Sequence, residues 1–327
     1  MRALFYTGTQ QMEVRDTADA TPLNGEVIVD IAHCGICGSD MHAYHGHDPR
    51  RVPPMILGHE AVGIVRSGSM AGQRVAINPL LPCGTCAYCT RGDVHLCTTR
   101  DLVGIAHAGA YAEAVAVPEA NLSVLPDHLD FATASLAEPL ACGVHGIRRG
   151  FESFGRAPGD TRVAVLGGGA IGLLAAKVYA HQGVKELWIA ETNPLRRKQL
   201  ETSIDARAYD PREGGPEEVD LVFDAVGSGI TRAAASAMVS HGGMIVHIGL
   251  QDSEPGLDTR RLTLQEIGFL GVYCYQPEDF AASLSLLADG HVTRDGWSEI
   301  RPLSEGPKSF SDIHDGNAPP KIILAME

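Results

Sequence analysis

Near the middle of the chain, Gly167-Gly168-Gly169-Ala170-Ile171-Gly172 follows a short apolar run, Arg162-Val-Ala-Val-Leu166. It opens a stretch of helical spacing from Ile171 to His181. A G-x-G-x-x-G set between a strand and a helix constrains the fold strongly, because each glycine answers a separate steric demand. Gly167 permits a tight turn, Gly169 lets a pyrophosphate approach the backbone, and Gly172 lets helix and strand pack closely. The same rhythm continues downstream. Glu186-Leu-Trp-Ile-Ala190 reads as the next strand and Pro194 to Glu201 as the start of the next helix. Val219 to Asp224 and Met244 to Ile248 read as further strands, separated by an Ala-rich helical stretch, Thr231 to Val239. Strands alternating with helices predict a parallel sheet covered on both faces, and so an α/β fold.

A helix start of this kind holds phosphates through its free N–H groups, without a basic patch. An acidic residue is expected at the end of the second strand, and Glu191 stands there. Its carboxylate accepts hydrogen bonds from an adenosine ribose diol and repels a 2′-phosphate, which favours NAD over NADP. Arg196 and Arg197 weaken that preference, because a guanidinium can hold the phosphate. The formal net charge of -14 argues against nucleic acid as a partner.

The first part of the chain has another character. Glu26 to Ile31, Ala61 to Val65 and Gln73 to Ile77 read as short strands between turns. Two segments dense in Gly, Pro, His and Cys, Cys34 to Pro54 and Pro79 to Asp101, read as loops. A helix (Ala281 to Leu287), a turn and a last strand (Lys321 to Ala325) close the sequence. With 327 residues, at roughly 100–200 per domain, two domains are expected. The boundaries fall at 1–145, 146–275 and 276–327, the last segment returning to the first domain.

Four of the eight cysteines crowd into Cys83-x-x-Cys86-x-x-Cys89-x7-Cys97. The start, Met1 to Gln10, lacks the layout of a secretory signal and no apolar run approaches the ~18 residues of a membrane span. A cytoplasmic protein is therefore expected, where tight C-x-x-C spacing reads as metal binding rather than disulfides. The spacing also differs from ferredoxin-type iron–sulfur runs. A nucleic-acid-binding zinc ribbon is disfavoured because Arg91 and Arg100 are nearly the only positive charges there. Four thiolates close a tetrahedral zinc with no open position, which makes this zinc structural. His95, inside the lobe, reads as a surface residue.

A second cluster, Cys37-Gly-Ser-Asp40 and Gly58-His59-Glu60, offers a thiolate, an imidazole and a carboxylate. Those three suffice for a catalytic zinc with a water or substrate in the remaining position.

Gly35-Ile-Cys37-Gly-Ser-Asp-Met-His42, Gly58-His-Glu-Ala61, the Cys83–Cys97 lobe, Glu138-Pro-Leu140, Gly167–Gly172 and Gly271-Val-Tyr-Cys-Tyr275 occur in this order. Together they resemble the zinc-containing medium-chain dehydrogenases, nearest the sorbitol, butanediol and threonine dehydrogenase branch. The resemblance implies a GroES-like β-rich catalytic domain interrupted by a Rossmann domain. It implies an enzyme passing hydride between a secondary alcohol, diol or polyol and NAD, with two Zn2+ per chain. Catalytic-zinc ligands fall at Cys37 and His59, with Glu60 or Glu138 supplying the carboxylate. Ser39 and His42 match the family's proton relay. Gly167, Gly169, Ala170, Ile171, Gly172, Glu191 and Arg196 line the adenosine and pyrophosphate site. Ile248, Gly249, Leu250, Val272 and Tyr273 pass near the nicotinamide. Homodimers or homotetramers are implied, with no membrane or nucleic-acid partner. A non-catalytic nucleotide-binding relative is the rival reading, and threonine or a sugar phosphate the alternative substrate class. Two departures bear on substrate. Sorbitol dehydrogenases carry an aromatic residue after the relay histidine, where this chain has Ala43. They carry an arginine between two late aromatics, where it has Cys274. Both point to a smaller or less polar substrate than sorbitol.

Overall fold

The computed structural model describes residues 1–326. Contacts divide the chain into two compact units. The first comprises Met1–Glu138, Gln276–Arg294 and the chain from Ser298 onward; the second comprises Pro139–Tyr275 with Asp295–Trp297. The first break therefore falls after Glu138, earlier in the helix Ala137–Phe154 than the expected residue 145.

The first unit is built on a seven-stranded sheet whose central member is Glu26–Gly35. Val27, Val29 and Ile31 alternate inward along it, the period of a strand buried on one face. One edge pairs antiparallel with Glu60–Val65. The other edge is shared: Ala114–Pro118 pairs with its first half and the late strand Lys321–Ala325 with its end. Gly35 thus has Glu60 opposite it on one side and Ile323 on the other. The core beneath includes Val29, Leu57, Val75, Tyr111 and Phe310, all fully buried.

Three features of this unit were not read from the sequence. Residues Gly38–Tyr44, expected as loop, form a helix. Its first turn is tied by the Asp40 carboxylate, which accepts from the Cys37 N–H at 3.1 Å, and its inner face buries Met41, Ala43 and Tyr44. The strand Ser298–Pro302 and the helix Gly306–His314 also lie in a stretch read only as a turn.

The second unit is a six-stranded parallel sheet. Its strands run, edge to edge, Arg207–Tyr209, Glu186–Ala190, Arg162–Leu166, Val219–Asp224, Val239–His247 and Gly268–Gly271. Numbered along the chain, that order is 3-2-1-4-5-6, the doubly wound arrangement whose ligand crevice opens at the carboxyl ends of the strands. Gly167 and Glu191 leave two neighbouring strands at that edge, and Ile248 and Val272 leave another neighbouring pair.

The glycine turn shows why its residue types matter. Gly167 has φ +99°, in the left-handed region. A Cβ on Gly172 would run into the carbonyl oxygen of Gly167, which is backbone and cannot swing away. Gly172→Ala is therefore expected to destabilise the protein by about 1–3 kcal/mol through overpacking. Urea unfolding checks this; an unchanged midpoint would contradict the close helix–strand contact.

Candidate active site and metal centres

The cysteine lobe is closed at its base by a two-stranded pairing, Leu80 opposite Leu102 and Leu81 opposite Asp101. Within it, Cys86 and Cys89 place their sulfurs 3.6 Å apart, and Cys83 and Cys89 theirs 4.0 Å apart. A disulfide needs about 2.05 Å, whereas sulfurs on a tetrahedral zinc with bonds of about 2.3 Å lie roughly 3.8 Å apart. Backbone N–H groups point at the sulfurs: Cys83 N–H donates to Cys97 Sγ and Cys86 N–H to Cys83 Sγ, each at 3.4 Å. Donors of this kind, led by the Thr85 N–H, lower the Cys83 thiol to about 5, and the Cys83 N–H lowers Cys97 as well. Cys89 goes the other way, up to about 12, first by burial and then by its hydrogen bond with Cys86. A crowded set that is partly ionised and partly protonated is what a dication would turn into four thiolates. His95 is buried at 2% exposure, not at the surface as expected. Arg100 donates to its carbonyl, which anchors the short turn Val94–Leu96 inside the lobe.

The second cluster is assembled from two pieces of the first unit. Cys37 stands at the start of the helix Gly38–Tyr44, His59 precedes the strand Glu60–Val65, and Glu60 opens it. One ligand atom from each of Cys37, His59 and Glu60 lies within 4.8 Å of the others. Among the described residues these three and the four lobe cysteines are the only such groups. Burial, then the charges of Glu60 and Asp40, push the Cys37 thiol up to about 12. It becomes a thiolate near neutral pH only beside a strong cation. His59 Nδ1 and Asp40 Oδ1 are buried, 3.6 Å apart, and neither has a hydrogen-bond partner. An imidazole backed by a carboxylate on one nitrogen is the arrangement that orients a histidine toward a metal on the other. The donor set therefore fits a zinc ion.

Asp40 is the hub behind the cluster. It is fully buried, accepts from Tyr111 Oη at 2.6 Å and from Cys37 N–H, and faces Arg51 at 3.7 Å. Arg51 in turn donates to the Ser39 carbonyl at 2.9 Å and to Ser39 Oγ at 3.3 Å. Glu60 is held by Lys321, whose Nζ lies 2.7 Å from one carboxylate oxygen and 2.5 Å from the other. Both side chains are essentially inaccessible. Burial alone would lower the Lys321 ammonium, but Glu60 and then Cys37 outweigh it and raise its pKa. Gly35 makes this contact possible: a Cβ there would strike Glu60 Oε2 and stand 3.2 Å from Lys321 Cε. Glu138 is not one of the three clustered residues, yet it is buried and its charge bears on both Cys37 and Lys321. Ala43, which stands where sorbitol dehydrogenases carry an aromatic residue, packs into the core at 1% exposure.

In the second unit, the helix Ala170–His181 starts at Gly169 with no side chain capping it, and Gly169 has open space where a Cβ would stand. Its first N–H groups are left for a ligand. The buried Glu191 carboxylate accepts from Gly168 N–H at 3.1 Å and from Asn193 N–H at 2.7 Å, which fixes it beside the glycine turn. Ile248 and Gly249 both donate their N–H to the Asp224 carbonyl, and Val272 N–H donates to the His247 carbonyl. Leu250 and Tyr273 are exposed. Asp224, fully buried, accepts from Val226 N–H, Gly227 N–H and Thr231 Oγ1 and meets His247 Nδ1 at 3.0 Å.

Comparison with known proteins bears on what this frame is. Residues 23–127 match the alcohol dehydrogenase GroES-like domain and residues 170–289 the zinc-binding dehydrogenase domain. A 2-dehydro-3-deoxy-L-galactonate 5-dehydrogenase of Pseudoalteromonas atlantica is 30% identical over 97% of this chain and 96% of its own length. The chain belongs to the zinc-containing medium-chain dehydrogenases. A sorbitol dehydrogenase of Halalkalibacterium halodurans is 31% identical to this medium-chain dehydrogenase, covering 97% of both chains. A solved structure from Sinorhizobium meliloti 1021, described as a zinc-binding dehydrogenase bound to NADP, has a TM-score of 0.88. It is 27% identical to this medium-chain dehydrogenase and covers 99% of it and 98% of its own chain. The medium-chain dehydrogenase described here is thus an oxidoreductase of the alcohol dehydrogenase type, with small molecules as substrates. No helix among the described residues is long and apolar enough to cross a membrane.

Sequence reading missed Lys321, Arg51, Tyr111 and Asp224. Lys321 carries a signal in hindsight, since a charged residue opens an otherwise apolar strand, Lys-Ile-Ile-Leu-Ala. Tyr111 and Arg51 carry none.

Proposed function

We propose that Cys37, His59 and Glu60 hold a catalytic zinc, that the four lobe cysteines hold a structural zinc, and that NAD binds along the Gly167–Gly172 turn. The reaction is oxidation of a secondary alcohol in a polyol or sugar acid, or its reverse. The observation that carries the reading is the convergence of Cys37, His59 and Glu60 within 4.8 Å, with the unpartnered His59 Nδ1 facing Asp40. Glu60 is preferred to Glu138 as the carboxylate because it is the one within ligand reach of the other two. Its pairing with Lys321 fixes its carboxylate in place.

When bound, zinc would supply Lewis acidity for an alcohol oxygen, and NAD a hydride-accepting nicotinamide. The remaining proton is the chain's task. Ser39 Oγ, positioned by Arg51, takes it and passes it to His42, three residues on along the same helix. Burial first, then the charge of His47, lowers the His42 pKa below its usual 6.5, partly offset by Asp48. His42 is thus neutral at pH 7 and able to accept. Its charged form grows only as pH falls through that lowered value, so alcohol oxidation is expected to decline on an acid limb below pH 6.5. His42→Ala should remove that limb and slow turnover by about tenfold to a hundredfold. A pH–rate profile whose acid limb survives the substitution would exclude His42 from the relay.

The Glu191 carboxylate supports NAD over NADP. The sugar acid and sorbitol dehydrogenases among its relatives support a polyhydroxylated substrate. Screening sugar acids, polyols, sugar phosphates and threonine with both cofactors tests this; activity confined to threonine would replace the substrate class. The reading includes a cytoplasmic homodimer or homotetramer, checked by sedimentation. Transferring the Cys83–Cys97 lobe to a zinc-free state, by Cys97→Ser, should lower Tm by several degrees. Structural zinc sites contribute folding energy directly. An unchanged Tm with one zinc lost would deny the lobe a structural role.

A further inference from the structure

The end of the strand Glu186–Ala190 is ringed by guanidinium groups that are already occupied. Arg197 Nη1 donates to the Glu191 carbonyl at 2.7 Å and lies 3.2 Å from Asp210 Oδ2. Arg212 donates to the Thr192 carbonyl at 2.9 Å. It also grips both oxygens of Asp210, through Nε at 2.8 Å and Nη2 at 2.5 Å. Two arginines are therefore anchored on the backbone of the two residues that follow the strand, and one carboxylate binds both. Asp210 itself is 4% exposed at its side chain, while Arg212, held by it, is 66% exposed. Asp210 directly follows the neighbouring edge strand Arg207–Tyr209, so the sheet register brings it beside Glu191.

The charges balance in this arrangement: Glu191 and Asp210 against Arg197 and Arg212. We propose that Asp210 is a specificity-determining residue, which sequesters Arg197 and Arg212 and so denies them to a phosphate on the adenosine 2′-oxygen. The inference rests on the dinucleotide reading of the glycine turn and deepens it. Glu191 repels the 2′-phosphate, and Asp210 occupies two of the cations at this strand end that could offset that repulsion. Bidentate guanidinium–phosphate pairing is among the stronger charge-assisted contacts, so releasing these side chains has a measurable effect. A purely structural salt bridge at the sheet edge makes a different forecast: its loss weakens both nucleotides together.

The test is binding of NADH and NADPH to the zinc-loaded protein, followed by nicotinamide fluorescence. Wild type should bind NADH more tightly. Asp210→Asn should improve NADPH binding by about tenfold relative to NADH. Adding Arg197→Met and Arg212→Met to that variant should cancel the gain. The same two arginine substitutions without Asp210→Asn should leave the NADH/NADPH ratio as in wild type, which keeps the test open should Asp210→Asn fold poorly. An unchanged ratio in folded Asp210→Asn, or NADPH binding lost with the arginines alone, overturns the role of Asp210. Wild type binding neither nucleotide overturns the dinucleotide reading instead.

Discussion

Cys37→Ser is expected to leave a folded protein with about one zinc per chain instead of about two and turnover reduced on the order of a thousandfold. The hydroxyl of serine does not ionise near neutral pH, so the cluster loses its anionic sulfur and keeps a histidine and one carboxylate. The sulfur stands at the N-cap of the helix Gly38–Tyr44, a position that serine fills well. The helix Gly38–Tyr44 is tied by the Cys37 backbone N–H on Asp40, which serine preserves. Far-ultraviolet circular dichroism and NADH binding should therefore match wild type, and the zinc that remains should be the one in the Cys83–Cys97 lobe. A variant that retains both zinc ions and full turnover would falsify the assignment of Cys37.

The second large effect is expected from Lys321→Met. Lys321 and Glu60 form an ion pair at 2.5 Å with both side chains out of solvent. Methionine fills the volume of the lysine stem but leaves a buried carboxylate with no cation, next to Asp40 and Cys37. Removing one partner of such a pair costs about 3–5 kcal/mol. The loss should be fully visible in protein stripped of metal with a chelator. It should be smaller in zinc-loaded protein, because a dication at Cys37, His59 and Glu60 offsets the unpaired charge. Urea titrations with and without zinc read the difference. Equal losses in the two states would mean that Glu60 does not share its charge with a metal.

The sheet of the second unit was legible because its signals are local. Arg162–Leu166 and Ala170–His181 carry strand and helix periods flanking a glycine set whose steric logic is independent of the rest of the chain. The cysteine lobe was legible for the same reason, its four cysteines lying within one short loop. The helix Gly38–Tyr44 was hidden because its composition is that of a turn, and its stability comes from one carboxylate cap and a buried inner face. The strands Arg207–Tyr209 and Gly268–Gly271 are too short to show a period. Asp40, Tyr111 and Lys321 meet only through long-range pairing. Tyr111 reaches Asp40 across 71 residues, and Lys321 reaches Glu60 across 261, and no spacing rule spans such separations.

The pairing of Lys321–Ala325 against the end of Glu26–Gly35 sets an order of events during synthesis. Translation runs from the amino end, and domains tend to fold as they emerge. Cys37, His59 and Glu60 leave the ribosome early, then wait through the whole parallel-sheet unit before their lysine arrives. During that interval Glu60 has no buried cation from this chain, and the central strand lacks a neighbour along part of one edge. An early-arriving zinc ion would fill the first gap, while the second exposes unpaired backbone to other nascent chains. With zinc held there as proposed, metal supply in the growing cell would enter the yield of folded protein as well as the rate of the reaction.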